Sequence, residues 1–195
     1  MKKIEAWALF VGAISGVLAY FLGTSGPSPF SGVVFGIFCI PFFWYYFRSV
    51  WKVCWWVYVS GFSFVLAAWS SIFVFALFSV SDDYRDAHPF ESMIDPVGLA
   101  MAGLAVGGAV GATILLIGFR FLSGTVATQY ILIIIFSGMA LPILLVLISE
   151  LGSDVIGPAL TDEFLRFILM VLWQASMLYW FVRLLRIHSE QKTNV

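Results

Sequence analysis

Residues 98–118 read Gly-Leu-Ala-Met-Ala-Gly-Leu-Ala-Val-Gly-Gly-Ala-Val-Gly-Ala-Thr-Ile-Leu-Leu-Ile-Gly, an uncharged apolar run in which Gly103, Gly107 and Gly111 recur every four residues. In a helix that spacing puts the three glycines on one face. Each interior glycine costs about 1 kcal/mol against alanine in water, so the run makes a poor soluble helix. In lipid, where no hydrophobic force drives helices together, the same bare ridge lets a second helix approach closely. The run therefore predicts a membrane-spanning helix that carries a packing seam.

Composition extends that reading to the whole chain. Of the 195 residues, 62% are hydrophobic and 11% charged, whereas soluble domains carry roughly half and about a quarter. The longest stretch without a spanning pattern, residues 81–96, is too short to bury a soluble core. The chain is thus expected to be all-α, a polytopic helical bundle forming a single integral membrane domain over residues 1–195. Apolar runs of about 20 residues match a hydrocarbon core of about 30 Å. Six such runs are present, at 4–22, 30–47, 53–80, 97–119, 129–148 and 164–182. The opening Met-Lys-Lys-Ile-Glu has the charge of a signal peptide, but its apolar run continues to Leu22 and no small-x-small site follows, so a retained first span is predicted.

The loops orient the bundle. Lys2, Lys3, Arg48, Lys52, Arg120, Arg183, Arg186 and Lys192, eight of the ten basic residues, fall on one side, leaving Arg85 and Arg166 on the other. The positive-inside rule then puts both termini in the cytoplasm and the protein in the cell membrane. The opposite connections, 81–96 and 149–163, hold most of the acids. Trp44, Tyr45, Tyr46, Trp51, Trp55, Trp56 and Tyr58 flank the cytoplasmic link between spans two and three, as an interfacial aromatic belt does.

Six spans divide into two sets of three, and an odd number per half inverts the second half relative to the first. Inverted repeats are a common transporter plan. The first span of each half carries a small-residue ridge, Ala8, Gly12 and Gly16 against Gly103, Gly107 and Gly111. The second span of each half has an interior proline, Pro41 and Pro142. Each proline frees a carbonyl four residues earlier, on Ile37 and Gly138. Such groups persist in membranes where protein, water or ligand satisfies them, so spans two and five mark a candidate ligand site. Plain packing kinks are the simpler explanation.

Chemistry-bearing residues are scarce. No ionisable residue lies mid-span, which argues against coupling through a membrane carboxylate. Gln174 is the strongest central polar group. Its amide needs a partner on a neighbouring helix, with Ser137 and Thr113 as candidates, and it serves either as helix-to-helix glue or as a contact to a neutral polar ligand. His88 and His188 lie outside the spans, so no haem or buried zinc site is expected, and no cofactor. Asp82, Asp86, His88 and Glu91 do not match a calcium loop, leaving a solvated acidic loop as the default there. Gly23-Thr-Ser-Gly26 resembles the Gly-x-Ser-Gly motif of rhomboid proteases, but it falls in a loop and no span holds a histidine base. No catalytic residue and no metal site is expected, and without a basic patch no nucleic acid either.

The expectation is a non-enzymatic protein that binds or translocates a neutral or apolar small molecule, with Gln174, Ser137, Thr113, Pro41 and Pro142 as the site. In size, span count and first-span ridge the layout is similar to the substrate-capture subunits of energy-coupling-factor transporters. The alternative is an accessory subunit that holds a membrane partner, or a second copy of itself, through the two glycine ridges.

Overall fold

The computed structural model describes residues 2–22, 29–78, 96–124, 126–156 and 158–193. Among the described residues there are six helices: α1 (Lys2–Leu22), α2 (Pro29–Phe47), α3 (Val50–Phe78), α4 (Pro96–Ser123), α5 (Thr128–Ile156) and α6 (Pro158–Thr193). All six are long and apolar enough to cross a bilayer, and among the described residues there is no strand. The protein is therefore a multi-pass membrane protein.

One boundary differs from expectation. Residues 149–156 and 158–163 are helical, because α5 runs on to Ile156 and α6 begins at Pro158. Glu150, Asp154 and Asp162 end the apolar span without ending the helix, since an established helix gains one hydrogen bond for each residue added. Pro158 suits a first helical position, where its missing N–H is not needed. The loop that holds Gly23-Thr-Ser-Gly26, and the acidic segment with Asp82, Asp86, His88 and Glu91, lie outside the described residues.

The helices close into a ring in which each packs on the next in sequence and α6 returns to α1, reaching α2 and α4 as well. Two long-range seams are built on glycine. On α1, a Cβ added at Gly12 would lie 2.6 Å from the Ala175 Cα of α6, and one at Gly16 would lie 2.5 Å from the Val171 Cα. On α4, a Cβ at Gly107 would lie 2.7 Å from the Ala67 carbonyl of α3 and run into the Ser71 hydroxyl, while Gly103 sits against Phe75. Residue numbers rise along one helix as they fall along its partner, so both pairs are antiparallel. Each seam also carries a hydrogen bond. The Ser15 hydroxyl of α1 is hydrogen-bonded to the side-chain amide of Gln174 on α6, and Ser63 of α3 donates to the Gly111 carbonyl at 2.9 Å. The two ridges do not face each other; each is covered by another helix of the same chain.

A third close crossing joins α4 to α5 at Gly108 and Gly138, where a Cβ on Gly138 would come 2.7 Å from the Gly108 carbonyl. Inside the ring, Phe43 stacks on Trp56 at 4.3 Å, and Trp56 meets Phe181 edge-on at 4.8 Å, locking α2, α3 and α6 together. Trp56 is fully buried, so it leaves the expected interfacial belt, whereas Trp44, Tyr45, Trp51 and Tyr58 remain exposed.

One end of the bundle gathers the basic residues. Glu5 of α1 pairs with Arg186 of α6 at 2.7 Å, which brings the two terminal helices together. Lys52 donates to the Leu122 carbonyl at 3.0 Å, closing the C-terminus of α4 with a cation as the helix dipole favours. There Gly124, at φ 92°, donates its N–H to the Arg120 carbonyl at 2.8 Å in a left-handed helix cap. The same cap ends α2, where Arg48 adopts φ 46° and donates its N–H to the Trp44 carbonyl at 3.0 Å.

Candidate functional site

The ring leaves a groove on its outer face between α1, α5 and α6. On α6 it is lined by Leu172, Ala175, Ser176 and Tyr179, the i, i+3, i+4, i+7 stripe of a single helix face. The small Ala175 and Ser176 hollow the middle of that stripe. Opposite them, α5 contributes Phe136, Ser137, Ala140 and Leu144, and α1 adds Leu9. The open groove has a volume of about 770 Å³, within the range that holds a small organic ligand. Its walls are apolar apart from the Ser137, Ser176 and Tyr179 hydroxyls. Ser137 donates to the Ile133 carbonyl of its own helix at 2.8 Å, so its hydroxyl hydrogen is already used and its oxygen remains an acceptor.

At the basic end of the groove Tyr179 accepts a hydrogen bond from Arg183 Nη1 at 3.1 Å. The guanidinium lies 5.4 Å from the centre of the Trp180 ring. Its Nε is buried and has no hydrogen-bond partner. No carboxylate pairs with Arg183 among the described residues, in contrast to Arg186, which has Glu5 at 2.7 Å and Glu190 at 3.5 Å.

Of the five residues expected to form the ligand site, Ser137 lines this groove and the others do not. Gln174 is fully buried and faces α1, where its partner is Ser15. That corrects the expected pairing with Ser137 or Thr113, each of which bonds a carbonyl of its own helix. The helix beside the amide is α1, from the far end of the sequence. Pro41 and Pro142 both lie within continuous helices. Pro41 is exposed and Pro142 is buried at the contact of α5 with α4. Because α2 and α5 do not form a packed pair, the expected site between spans two and five is not assembled.

A second, smaller groove of about 550 Å³ lies between α2 and α3, lined by Val33, Ile37, Val57, Tyr58, Gly61 and Phe62. Among the described residues, no three His, Cys, Asp or Glu side chains cluster in a way that would hold a metal ion. No family model matches the chain, and neither a curated protein nor a solved structure matches it.

The sequence reading missed Ser176, Tyr179 and Ala140. The signal for the first two was present as small and polar residues at helical spacing on span six, beside the Gln174 that drew attention instead.

Proposed function

We propose that this protein binds or translocates a neutral or apolar small molecule that enters from the lipid. The groove between α1, α5 and α6 carries the reading. It is large enough for a small ligand, apolar over most of its wall, and furnished with a few hydroxyls that can orient a bound molecule. It opens on the outer face of the bundle, where a molecule dissolved in the bilayer meets it directly. The basic end is read as cytoplasmic, by the positive-inside rule.

A 3+3 inverted repeat is part of this proposal. The pairing of α1 with α6 and of α4 with α3 sets the first helix of each half against the third helix of the other. The grooves between α2 and α3 and between α5 and α6 occupy matching places in the two halves. Both relations are what a pseudo-twofold arrangement would produce. The rival reading, a scaffold holding a partner through its glycine ridges, loses its motive because α6 and α3 already cover those ridges.

Photolabelling with an apolar diazirine probe in vesicles tests the reading. Labelling is expected to saturate on peptides of α5 and α6 and to fall when Ser176→Trp fills the groove. Labelling that is non-saturable and even over all six helices would overturn it.

A further inference from the structure

Arg183 continues the groove stripe of α6, one turn beyond Tyr179, and is the residue there whose charge is least answered. A guanidinium offers five N–H donors. Here one reaches the Tyr179 hydroxyl, the Nε donor is buried without a partner, and the charge has no carboxylate opposite it among the described residues. Arg186, whose Nε likewise has no hydrogen-bond partner, is ion-paired to Glu5 and Glu190, and Lys52 donates to the Leu122 carbonyl, so the carboxylate missing among the described residues is what sets Arg183 apart from Arg186. The Tyr179 hydroxyl accepts from Arg183 and keeps its own hydrogen to donate. Cation and phenol together form a cradle for an anionic oxygen, set where the apolar groove ends.

The groove supplies the other half of an amphiphile site. From Phe136 to Leu147 on α5 the helix rises about 16 Å, at about 1.5 Å per residue, close to one leaflet of a hydrocarbon core about 30 Å thick. Leu9, Leu144 and Leu172 give apolar walls along that length, and Ala140 and Ala175 leave room between them.

We propose that the α1–α5–α6 groove holds an acyl chain of an anionic phospholipid whose phosphate is bound by the Arg183 guanidinium and the Tyr179 hydroxyl. This rests on the reading of the groove as the ligand site: the apolar part of the ligand is the acyl chain in the groove, and Arg183 revises the rest of the molecule from neutral to an anionic head. The lipid phosphate supplies the acceptor oxygens that Arg183 lacks, and a bidentate guanidinium–phosphate contact fixes the head while the groove fixes the tail.

The full-length protein in vesicles of phosphatidylcholine with a minor share of phosphatidylglycerol provides the test, with either lipid spin-labelled on its acyl chain. The motionally restricted fraction in electron spin resonance is expected to favour phosphatidylglycerol about fivefold, the preference one basic residue near the surface confers. Arg183→Gln should reduce that preference to near unity while leaving restricted lipid in place, and Arg183→Lys should restore much of it. Ser176→Trp should reduce the restricted component for both lipids by the groove's share, leaving that of the remaining perimeter. Equal retention of the two lipids by the wild type, or a preference unchanged in Arg183→Gln, overturns the head-group assignment while the groove reading stands. Restricted lipid that is indifferent to Ser176→Trp overturns the groove reading itself. Displacement of the phospholipid by an equimolar fatty acid in wild type but not in Arg183→Gln would reassign the cradle to a carboxylate and overturn the phospholipid assignment.

Discussion

The α-carbon of Gly108 on α4 faces the carbonyl oxygen of Gly138 on α5, which is the carbonyl that Pro142 leaves without its helical N–H. The α-hydrogen that a Cβ would replace points at that oxygen, as in the weak Cα–H···O contacts found at helix crossings. The Pro142 ring lies beside the same spot, its Cγ 3.5 Å from where a Gly108 Cβ would be. A proline that looked like a ligand-site marker is thus accounted for by packing, because the neighbouring backbone takes up the group it frees.

Gly108→Ala should accordingly destabilise the protein by about 1–3 kcal/mol, since its methyl group meets backbone, which cannot rotate away. Pro142→Ala returns an N–H to the Gly138 carbonyl and should cost less. Unfolding titrations in mixed micelles check the order of the two. Equal or reversed effects would remove the carbonyl from the account of this crossing.

Gly12→Ala and Gly107→Ala should each cost about 1–3 kcal/mol for the same steric reason, and their effects should add because the seams they sit on are separate. Gly107→Leu, which would report partner loss if the ridge faced another protein, is expected to prevent stable folding. The monodisperse yield on gel filtration reads this directly. A well-folded Gly107→Leu variant would mean that α3 does not cover the ridge.

The six spans were legible because lipid leaves a helix no alternative: backbone groups must be satisfied within the segment, so apolar length translates into structure. Close approach at Gly103, Gly107 and Gly111 was legible for a related reason, since bare glycine faces have little other use in a membrane. The helix that fills each ridge was not. Ser63, Ala67 and Ser71 form a matching small-residue stripe on α3, but several spans carry small residues and only the assembled ring selects among them. The groove was hidden for a different reason. Leu172, Phe136 and Leu144 are the same apolar types that coat any lipid-facing surface, so concavity leaves little trace in composition.

Arg48 holds a left-handed conformation, φ 46°, at the two-residue link between α2 and α3. For a residue with a Cβ that conformation costs roughly 1–2 kcal/mol. Glycine removes the strain but gives up roughly 0.5–1 kcal/mol in chain entropy. Arg48→Gly should therefore be neutral or stabilising by up to about 1 kcal/mol, whereas β-branched Arg48→Val should lower the thermal midpoint clearly. If both variants lose stability alike, the side chain of Arg48 matters more than its backbone.

Ser15 has one hydroxyl hydrogen and two acceptors close by, the Gly12 carbonyl at 3.0 Å and Oε1 of Gln174. It cannot donate to both, and Nε2 of Gln174 is left buried without a partner. Reversing the amide resolves the conflict, because its two ends are assigned from hydrogen bonding rather than observed. Nε2 then donates to the Ser15 oxygen, Ser15 donates to Gly12, and the unpartnered atom becomes a carbonyl oxygen, which proteins tolerate better than an orphaned donor. On this assignment Gln174→Leu leaves Ser15 with its Gly12 bond and should be mild. Ser15→Ala strands the whole amide in the interior and should cost more, on the order of 1–3 kcal/mol. The double variant Ser15→Ala/Gln174→Leu should then be more stable than the sum of the single losses predicts, with a coupling of about 0.6–1.7 kcal/mol, the range found for hydrogen bonds between transmembrane helices. Unfolding of the four proteins in bicelles measures that coupling. Strict additivity would show that Ser15 and Gln174 do not act as a pair, and that the register of α1 on α6 is set by Gly12, Gly16 and the Glu5–Arg186 ion pair without them.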